Sequence, residues 1–136
     1  MAIEGGCYCG ALRYRIEGAM PKGGLCYCRA CQHASGGGPN AFALVAAESF
    51  SWTKGTPARF TRPDLPTAVT RDFCPECGTQ VTTLRPGQSK RIVKIGTLDQ
   101  AQDWPGPGFA IFTAEKAPWH HVPPGLPAFE GLPPAR

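Results

Sequence analysis

Short stretches of alternating apolar and polar residues, separated by glycine and proline, run through most of the chain. Residues 11–16 alternate with a period of two, which is typical of a half-buried β-strand. Bounded runs of the same kind predict a β-meander and three later strands. These runs are residues 41–46, 50–53, 59–61, 68–73, 80–84, 91–95 and 109–113. The pattern contains no helical period longer than about ten residues and no internal repeat, so it predicts a mainly β protein of antiparallel sheets.

One segment favours a helix instead. Residues 25–34 contain no glycine, proline or β-branched residue, which predicts one or two helical turns. Cys28 and Cys31 lie three residues apart in this segment and would share a face. The glycine-rich residues 35–39 that follow predict a flexible loop, either an ordinary one or one that closes over a substrate.

The carboxyl-terminal segment is rich in proline. Six prolines fall within residues 118–136, interleaved with large apolar side chains such as Trp119 and Phe129. Such a chain would expose those side chains unless they packed against the sheet, so an extended, packed tail is favoured over a recognition motif for proline-binding domains. We predict one domain over residues 3–126 and an extended tail over residues 127–136.

The composition supports a single globular domain. The chain has 136 residues, of which 42% are hydrophobic, 17 are glycine and 15 are proline. The net charge of +4 comes from basic residues scattered along the chain, so nucleic acid is not a predicted partner, whereas a small anionic substrate would suit it. No segment approaches the length that crosses a bilayer, and the amino terminus lacks a signal-peptide pattern. We expect a cytoplasmic protein, because seven cysteines, an odd number, fit poorly with a disulfide framework.

The seven cysteines fall into three tight clusters, which divide into a set of four and a set of three. Cys74-Pro-Glu-Cys77-Gly78 is a metal knuckle, in which glycine accepts a positive φ and both sulfurs point to one ion. A thioredoxin-like redox pair is the competing interpretation, but the residues after Gly78 are β-branched and favour a strand rather than a helix. Cys7 and Cys9, also followed by glycine, form the matching half. We predict that this four-cysteine group (Cys7, Cys9, Cys74 and Cys77) closes a structural zinc site.

The three-cysteine group (Cys26, Cys28 and Cys31) then remains. Three thiolates leave one position of a tetrahedral zinc ion available to water or substrate, which is the pattern of a catalytic site. Two alternatives stay open. His33, His120 or His121 could complete the shell and make the site structural, and one of the cysteines could act as a nucleophile without metal.

These motifs together resemble the family of glutathione-dependent formaldehyde-activating enzymes, which includes the centromere protein V domain. The similarity runs from about Ile3 to about Leu126. The matched motifs are Cys7-x-Cys9-Gly10, Cys26-x-Cys28-x-x-Cys31 with Ser35-Gly36, Phe73-Cys74-x-x-Cys77-Gly78-Thr79, Gly96-Thr-Leu-Asp99 and Ala117-Pro-Trp119. The resemblance implies a β-tent fold of antiparallel sheets held by zinc. It also implies a structural zinc in the four-cysteine group and a catalytic zinc in the three-cysteine group.

The same resemblance implies a zinc-dependent carbon-sulfur lyase that joins or cleaves a thiol such as glutathione, its co-substrate, and a small aldehyde such as formaldehyde. It implies two zinc ions per chain, small-molecule partners rather than a membrane, and allows for a homodimer. Two positions depart from the family pattern: Tyr27 replaces a usual histidine and Gln32 replaces a frequent arginine. These departures concern the identity of the substrate, while the metal ligands are intact.

Several other residues are candidates for supporting roles. Arg29 is the nearest cation to the three-cysteine group, and the Tyr27 hydroxyl either donates a hydrogen bond at the pocket mouth or packs beside the metal. The three histidines are candidates for proton transfer near neutral pH. Asp99 is expected to cap a turn. Trp52, Trp104 and Trp119 are expected to build the core and the pocket walls.

Two other classes of function compete with the lyase. A zinc-stabilised binding module without catalysis would have two closed metal sites and a clustered basic surface. A metal sensor or thiol redox protein would use the three-cysteine group alone.

Overall fold

The computed structural model describes residues 2–134, which form ten β-strands, one short α-helix and several 3₁₀ turns. The strands are β1 (Ala2–Gly6), β2 (Arg13–Glu17), β3 (Gly23–Cys26), β4 (Asn40–Ala46), β5 (Phe50–Lys54), β6 (Ala58–Thr61), β7 (Thr70–Phe73), β8 (Gln80–Leu84), β9 (Lys90–Lys94) and β10 (Pro107–Ile111). The helix α1 spans Arg29–Ser35. The predicted mainly β fold with antiparallel sheets and one short helix is confirmed.

The chain forms two compact units. The first contains the chain up to Pro21 together with Ala43–Pro105, and the second contains Lys22–Phe42 together with the chain from Gly106 onward. The predicted division into one domain and a tail from residue 127 stays a prediction, and residues 135 and 136 of that tail lie outside the described residues.

The first unit contains an antiparallel sheet in the order β1-β2-β5. The alternation in β2 buries Tyr14 and Ile16 and turns Arg13 and Arg15 away from the core. Tyr14 stacks on Phe50 with ring centroids 5.1 Å apart, and Trp52 meets Phe50 edge to face at 5.1 Å. These aromatic contacts form the centre of the core, as large buried rings generally do.

Strands β6 to β9 form an antiparallel meander, with β9 beside β4. The predicted meander of residues 41–73 is wrong, because β5 pairs with β2 rather than with its neighbours in the sequence. Asp72 of β7 is fully buried beneath this meander. Its carboxylate accepts hydrogen bonds from Arg59 Nε at 2.8 Å, Arg91 Nη1 at 3.0 Å and Thr82 Oγ1 at 3.1 Å. A buried carboxylate is tolerated only with such partners, so this cluster fixes the register of four neighbouring strands.

The second unit contains β3, α1 and β10. Strand β10 pairs with β3 in parallel, which the sequence pattern did not predict. The chain beyond β10 continues the pairing, because Ala110 donates to the carbonyl of Pro127 at 2.9 Å and accepts from the amide of Phe129 at 2.9 Å. Residues 127–131 therefore lie alongside β10.

The sequence analysis missed β1 and β3, and both contain glycine pairs. A Cβ at Gly5 would lie 2.4 Å from the Tyr14 hydroxyl, and one at Gly24 would lie 2.5 Å from the Phe109 ring. Glycine usually weakens a strand, but here it permits close approach of a neighbouring group.

None of the helices within residues 2–134 is long and apolar enough to span a lipid bilayer.

Replacing Asp72 with asparagine tests the buried cluster. We expect Asp72→Asn to lower the free energy of unfolding by about 1–3 kcal/mol, because two arginines lose a charged acceptor in a buried setting. Urea unfolding of the metal-loaded protein measures this change. Asp64→Asn, which breaks an exposed pair with Arg62, is the matched control and should have no measurable effect. Equal stability of Asp72→Asn and wild type would contradict this role.

Candidate metal centres

Two turns bring the four-cysteine group together within the first unit. Cys7 directly follows β1 and Cys74 directly follows β7. Each begins a tight turn closed by a backbone hydrogen bond, from Gly10 to Cys7 at 3.2 Å and from Gly78 to Cys74 at 2.9 Å. Gly10 and Gly78 have φ of 83° and 79°, as predicted for the glycine after a metal knuckle.

The sulfur positions of this group fit a tetrahedral ion. All four Sγ atoms lie within 4.8 Å of one another. The Sγ atom of Cys9 lies 3.7 Å from that of Cys7 and 3.8 Å from that of Cys74. Zinc–sulfur bonds of about 2.3 Å in a tetrahedron separate the sulfurs by about 3.8 Å. The four-cysteine group therefore has the donor set and the spacing of a closed zinc site.

Hydrogen bonds to sulfur favour the thiolate form that a metal requires. Cys7 Sγ accepts from the amide of Leu12 at 3.1 Å, and Cys74 Sγ accepts from the amide of Cys77 at 3.4 Å. Hydrogen bonds with the Thr79 side chain and backbone lower the pKa of Cys77 to about 5. Backbone and hydroxyl groups thus favour the thiolate form of Cys77. The hydrogen bond with the Ala11 backbone lowers the pKa of Cys9, but burial and the neighbouring thiols outweigh that bond and raise the pKa to about 11.

Thr79 joins the two turns, and the sequence analysis did not identify it as a site residue. Its Oγ1 accepts from the amide of Tyr8 at 3.1 Å and lies 3.2 Å from Cys77 Sγ. Tyr8 lies between Cys7 and Cys9, so one hydroxyl connects both halves of the group. Its place in the matched motif Phe73-Cys74-x-x-Cys77-Gly78-Thr79 was the signal in the sequence, although its partner is 71 residues away.

The second unit brings the three-cysteine group together. Cys26 ends β3, Cys28 is the N-cap of α1, and Cys31 lies in its first turn. The three Sγ atoms lie within 4.8 Å of one another, and Cys28 Sγ accepts from the amide of Cys31 at 3.2 Å. Hydrogen bonds with Cys28 and Cys31 raise the pKa of the Cys26 thiol far above its ordinary value. Three thiolates this close therefore need a cation between them.

Gln32 holds the loop that carries these cysteines. Its side chain is buried, and its Nε2 donates to the carbonyls of Tyr27 at 2.9 Å and Glu115 at 3.0 Å. Its Oε1 accepts a hydrogen bond from Arg29 Nη1. Gln32, one of the two residues that depart from the family pattern, therefore connects the cysteine loop, the helix and the chain after β10.

No histidine joins the three-cysteine group among the described residues. The ring of His120 is engaged on both sides, since Nδ1 accepts from the amide of Ala117 at 2.8 Å and Nε2 donates to the carbonyl of Gly37 at 2.6 Å. His33 and His121 are exposed and lie outside the group. Within residues 2–134, the group therefore contains no fourth side chain that would close it.

For Tyr27 the structure excludes one of the two alternatives, and for Asp99 the expectation is wrong. The Tyr27 hydroxyl is not at a pocket mouth, because Tyr27 is buried and donates to the carbonyl of His121 at 2.6 Å. Asp99 does not cap a turn; both of its carboxylate oxygens accept from the guanidinium of Arg13, which holds the pKa of Asp99 below its ordinary value. Both residues tie separate segments together and take no part in the metal groups.

The tryptophans divide between core and surface. Trp52 and Trp104 pack against the core of the first unit, as expected. Trp119 is 68% exposed and forms one wall of a pocket in the second unit. The other lining residues of this pocket belong to α1 and the loop after it: Arg29, Gln32, His33, Gly36 and Gly37.

Removing the Thr79 hydroxyl tests its role at the four-cysteine group. We expect Thr79→Val to lower the zinc affinity of this group by about tenfold, because groups that orient metal ligands typically contribute 10–100-fold. The measurement is competition with a chromophoric chelator in a Cys28→Ser background, which isolates the four-cysteine group. Thr79→Ser keeps the hydroxyl and should retain the affinity. Equal losses in both variants would show that the hydroxyl is not the contributing group.

The chain is similar to known proteins both in sequence and in fold. The sequence model of the family described as "Glutathione-dependent formaldehyde-activating enzyme" matches residues 2–115. A putative glutathione-dependent formaldehyde-activating enzyme of Halomonas elongata is 42% identical over 45 residues, which span 32% of this chain and 29% of that protein. A crystal structure of a Rhodobacter sphaeroides protein is similar in fold, with a TM-score of 0.55, 17% identity, and coverage of 93% of this chain and 98% of that one. The chain belongs to the family of glutathione-dependent formaldehyde-activating enzymes.

Proposed function

We propose that this protein is a zinc-dependent carbon-sulfur lyase that joins or cleaves a low-molecular-weight thiol, such as glutathione, and a small aldehyde. The observation that carries the proposal is the three-cysteine group, whose sulfurs converge without a fourth side chain among the described residues. Family membership supports the same class of reaction.

The reaction is an addition. The thiol sulfur forms a bond to the aldehyde carbon, the electron pair of the carbonyl moves to oxygen, and the thiol proton is transferred to that oxygen. The product is an S-hydroxymethyl thioether when the aldehyde is formaldehyde, and the reverse reaction breaks the same carbon–sulfur bond. Zinc bound by the three cysteines would lower the pKa of an incoming thiol and so supply the nucleophile.

The chain's own residues provide the setting for this addition. The sulfurs of Cys26, Cys28 and Cys31 lie within 4.8 Å of one another, and a zinc ion held by them would have one position for substrate. Three thiolates and a divalent cation sum to a negative charge, and Arg29, one residue from Cys28, is the nearest cation in the sequence. His33 on the same helix exposes an imidazole that can exchange the transferred proton with water.

The four-cysteine group has the complementary role. Four thiolates satisfy the ion completely, so this group would contribute folding free energy rather than chemistry. None of the seven cysteines forms a disulfide bond, and we include a reducing, cytoplasmic location in the proposal. We also propose the domain boundaries predicted above.

Removing one cysteine from each group separates the two roles. We expect about two zinc ions per chain in the wild type and about one in both Cys28→Ser and Cys77→Ser, measured by elemental analysis. Cys77→Ser should lower the unfolding temperature far more than Cys28→Ser, because only the closed group joins distant segments. Each variant is the control for the other, because each removes one thiol from one of the two groups.

Activity is measured by exchange NMR on glutathione and formaldehyde, which separates catalysed from spontaneous addition at equilibrium. The wild type should accelerate the exchange and Cys28→Ser should not. A wild-type protein that holds two zinc ions and leaves the exchange rates of several thiols and aldehydes unchanged would favour the alternative, a zinc-stabilised binding module.

A further inference from the structure

The 3₁₀ turn after β10, Thr113–Glu115, lies against the beginning of α1. The side chain of Glu115 reaches the helix, and its Oε1 accepts a hydrogen bond from the backbone amide of Arg29 at 2.8 Å. The carbonyl of Glu115 accepts a second bond, from Nε2 of Gln32 at 3.0 Å. One residue therefore holds α1 at two points, although it lies 86 residues from Arg29 in the sequence.

The amide of Arg29 belongs to the first turn of α1, where backbone donors have no partner within the helix. Cys28 is the N-cap, and its Sγ accepts from the amide of Cys31 at 3.2 Å. A thiolate that binds metal and the Glu115 carboxylate thus share the donors of one helical turn. A helix of seven residues has little stability of its own, so its beginning depends on such partners from other parts of the chain.

The turn that carries Glu115 is itself held in place. Phe112, directly before it, has φ of 53°, a left-handed conformation that residues other than glycine rarely adopt. Phe112 donates to the carbonyl of Gly131 at 3.1 Å, and the amide and hydroxyl of Thr113 donate to the carbonyl of Phe129 at 3.1 and 3.0 Å. Because a strained residue persists only where its surroundings fix it, these bonds to the carboxyl-terminal segment define the position of the turn.

We propose that Glu115 is a positioning residue of the three-cysteine group. Its carboxylate fixes the beginning of α1, and with it the placement of Cys28 and Cys31 around a metal ion. Glu115 acts through the helix and is not among the candidate ligands of that group. This inference rests on the proposed function, in which the three-cysteine group binds zinc. Hydrogen-bond partners behind metal ligands typically contribute 10–100-fold to metal affinity.

Zinc affinity tests this role. Competition with a chromophoric chelator measures the affinity of each of the two zinc ions. We expect Glu115→Ala to weaken one ion by about tenfold and to leave the other unchanged. Cys28→Ser, which retains only the four-cysteine group, identifies the unchanged ion. Glu115→Gln keeps a side-chain oxygen that accepts from Arg29, so it should retain the affinity. Glu48→Ala, which removes an exposed glutamate from a 3₁₀ turn of the first unit, should have no effect.

Amide hydrogen exchange, followed by NMR, measures the bond to Arg29 itself. The Arg29 amide should exchange about tenfold faster in Glu115→Ala than in the wild type, because it loses its acceptor. Glu115→Gln should exchange at the wild-type rate. A general loss of stability would instead speed exchange throughout α1, so this readout separates positioning from an overall effect on the fold.

The outcomes distinguish the two proposals. A wild type with two zinc ions and an unchanged affinity in Glu115→Ala would overturn the positioning role and leave the lyase standing. Equal losses in Glu115→Ala and Glu115→Gln, or a loss of affinity without faster exchange of the Arg29 amide, would also overturn it. A wild type that binds a single zinc ion would contradict the proposed function and, with it, the inference that rests on it.

Discussion

The convergence of cysteine sulfurs is the constraint on which the molecule depends. Cys9 and Cys74 are 65 residues apart in sequence, yet their Sγ atoms lie 3.8 Å apart. Thiolates at this distance repel one another, and a cation among them reverses that repulsion. A metal ion bound by the four-cysteine group would hold the ends of β1 and β7 in the first unit together.

The two groups differ in the number of sulfurs, and that difference decides their chemistry. Four thiolates complete a tetrahedron, while three leave a position that a substrate can occupy. Each group has one polar side chain that holds it in place: Thr79 connects the two turns of the four-cysteine group, and Gln32 fastens the loop of the three-cysteine group. Gln32 also accepts a hydrogen bond from Arg29, and both side chains line the pocket along α1.

The sequence was sufficient to predict the parts that depend on local pattern. Alternation predicted β2, bounded runs predicted strands β4 to β10, and the Cys-x-x-Cys-Gly spacing predicted the turn at Gly78. The pairing of β5 with β2 was not predicted. Strands β1 and β3 could not be predicted, because glycine normally interrupts a strand and the close neighbours that require it, Tyr14 and Phe109, are distant in sequence.

The supporting residues of the sites were not predictable for a related reason. The partners of Gln32, Tyr27 and Asp99 lie 83, 94 and 86 residues away. Side-chain hydrogen bonds over such separations leave no periodic pattern in the sequence. The cysteines were predictable because the chemistry of a soft metal restricts its ligands to a few residue types, whereas an amide or a hydroxyl serves many purposes.

X-ray absorption at the zinc edge tests the central claim most directly. With both groups loaded, the account predicts an average of about 3.5 sulfur ligands per zinc ion, rising toward four when excess glutathione is added. A value of four sulfur ligands before the addition, or no change in sulfur coordination after it, would contradict the claim that the three-cysteine group accepts a thiol.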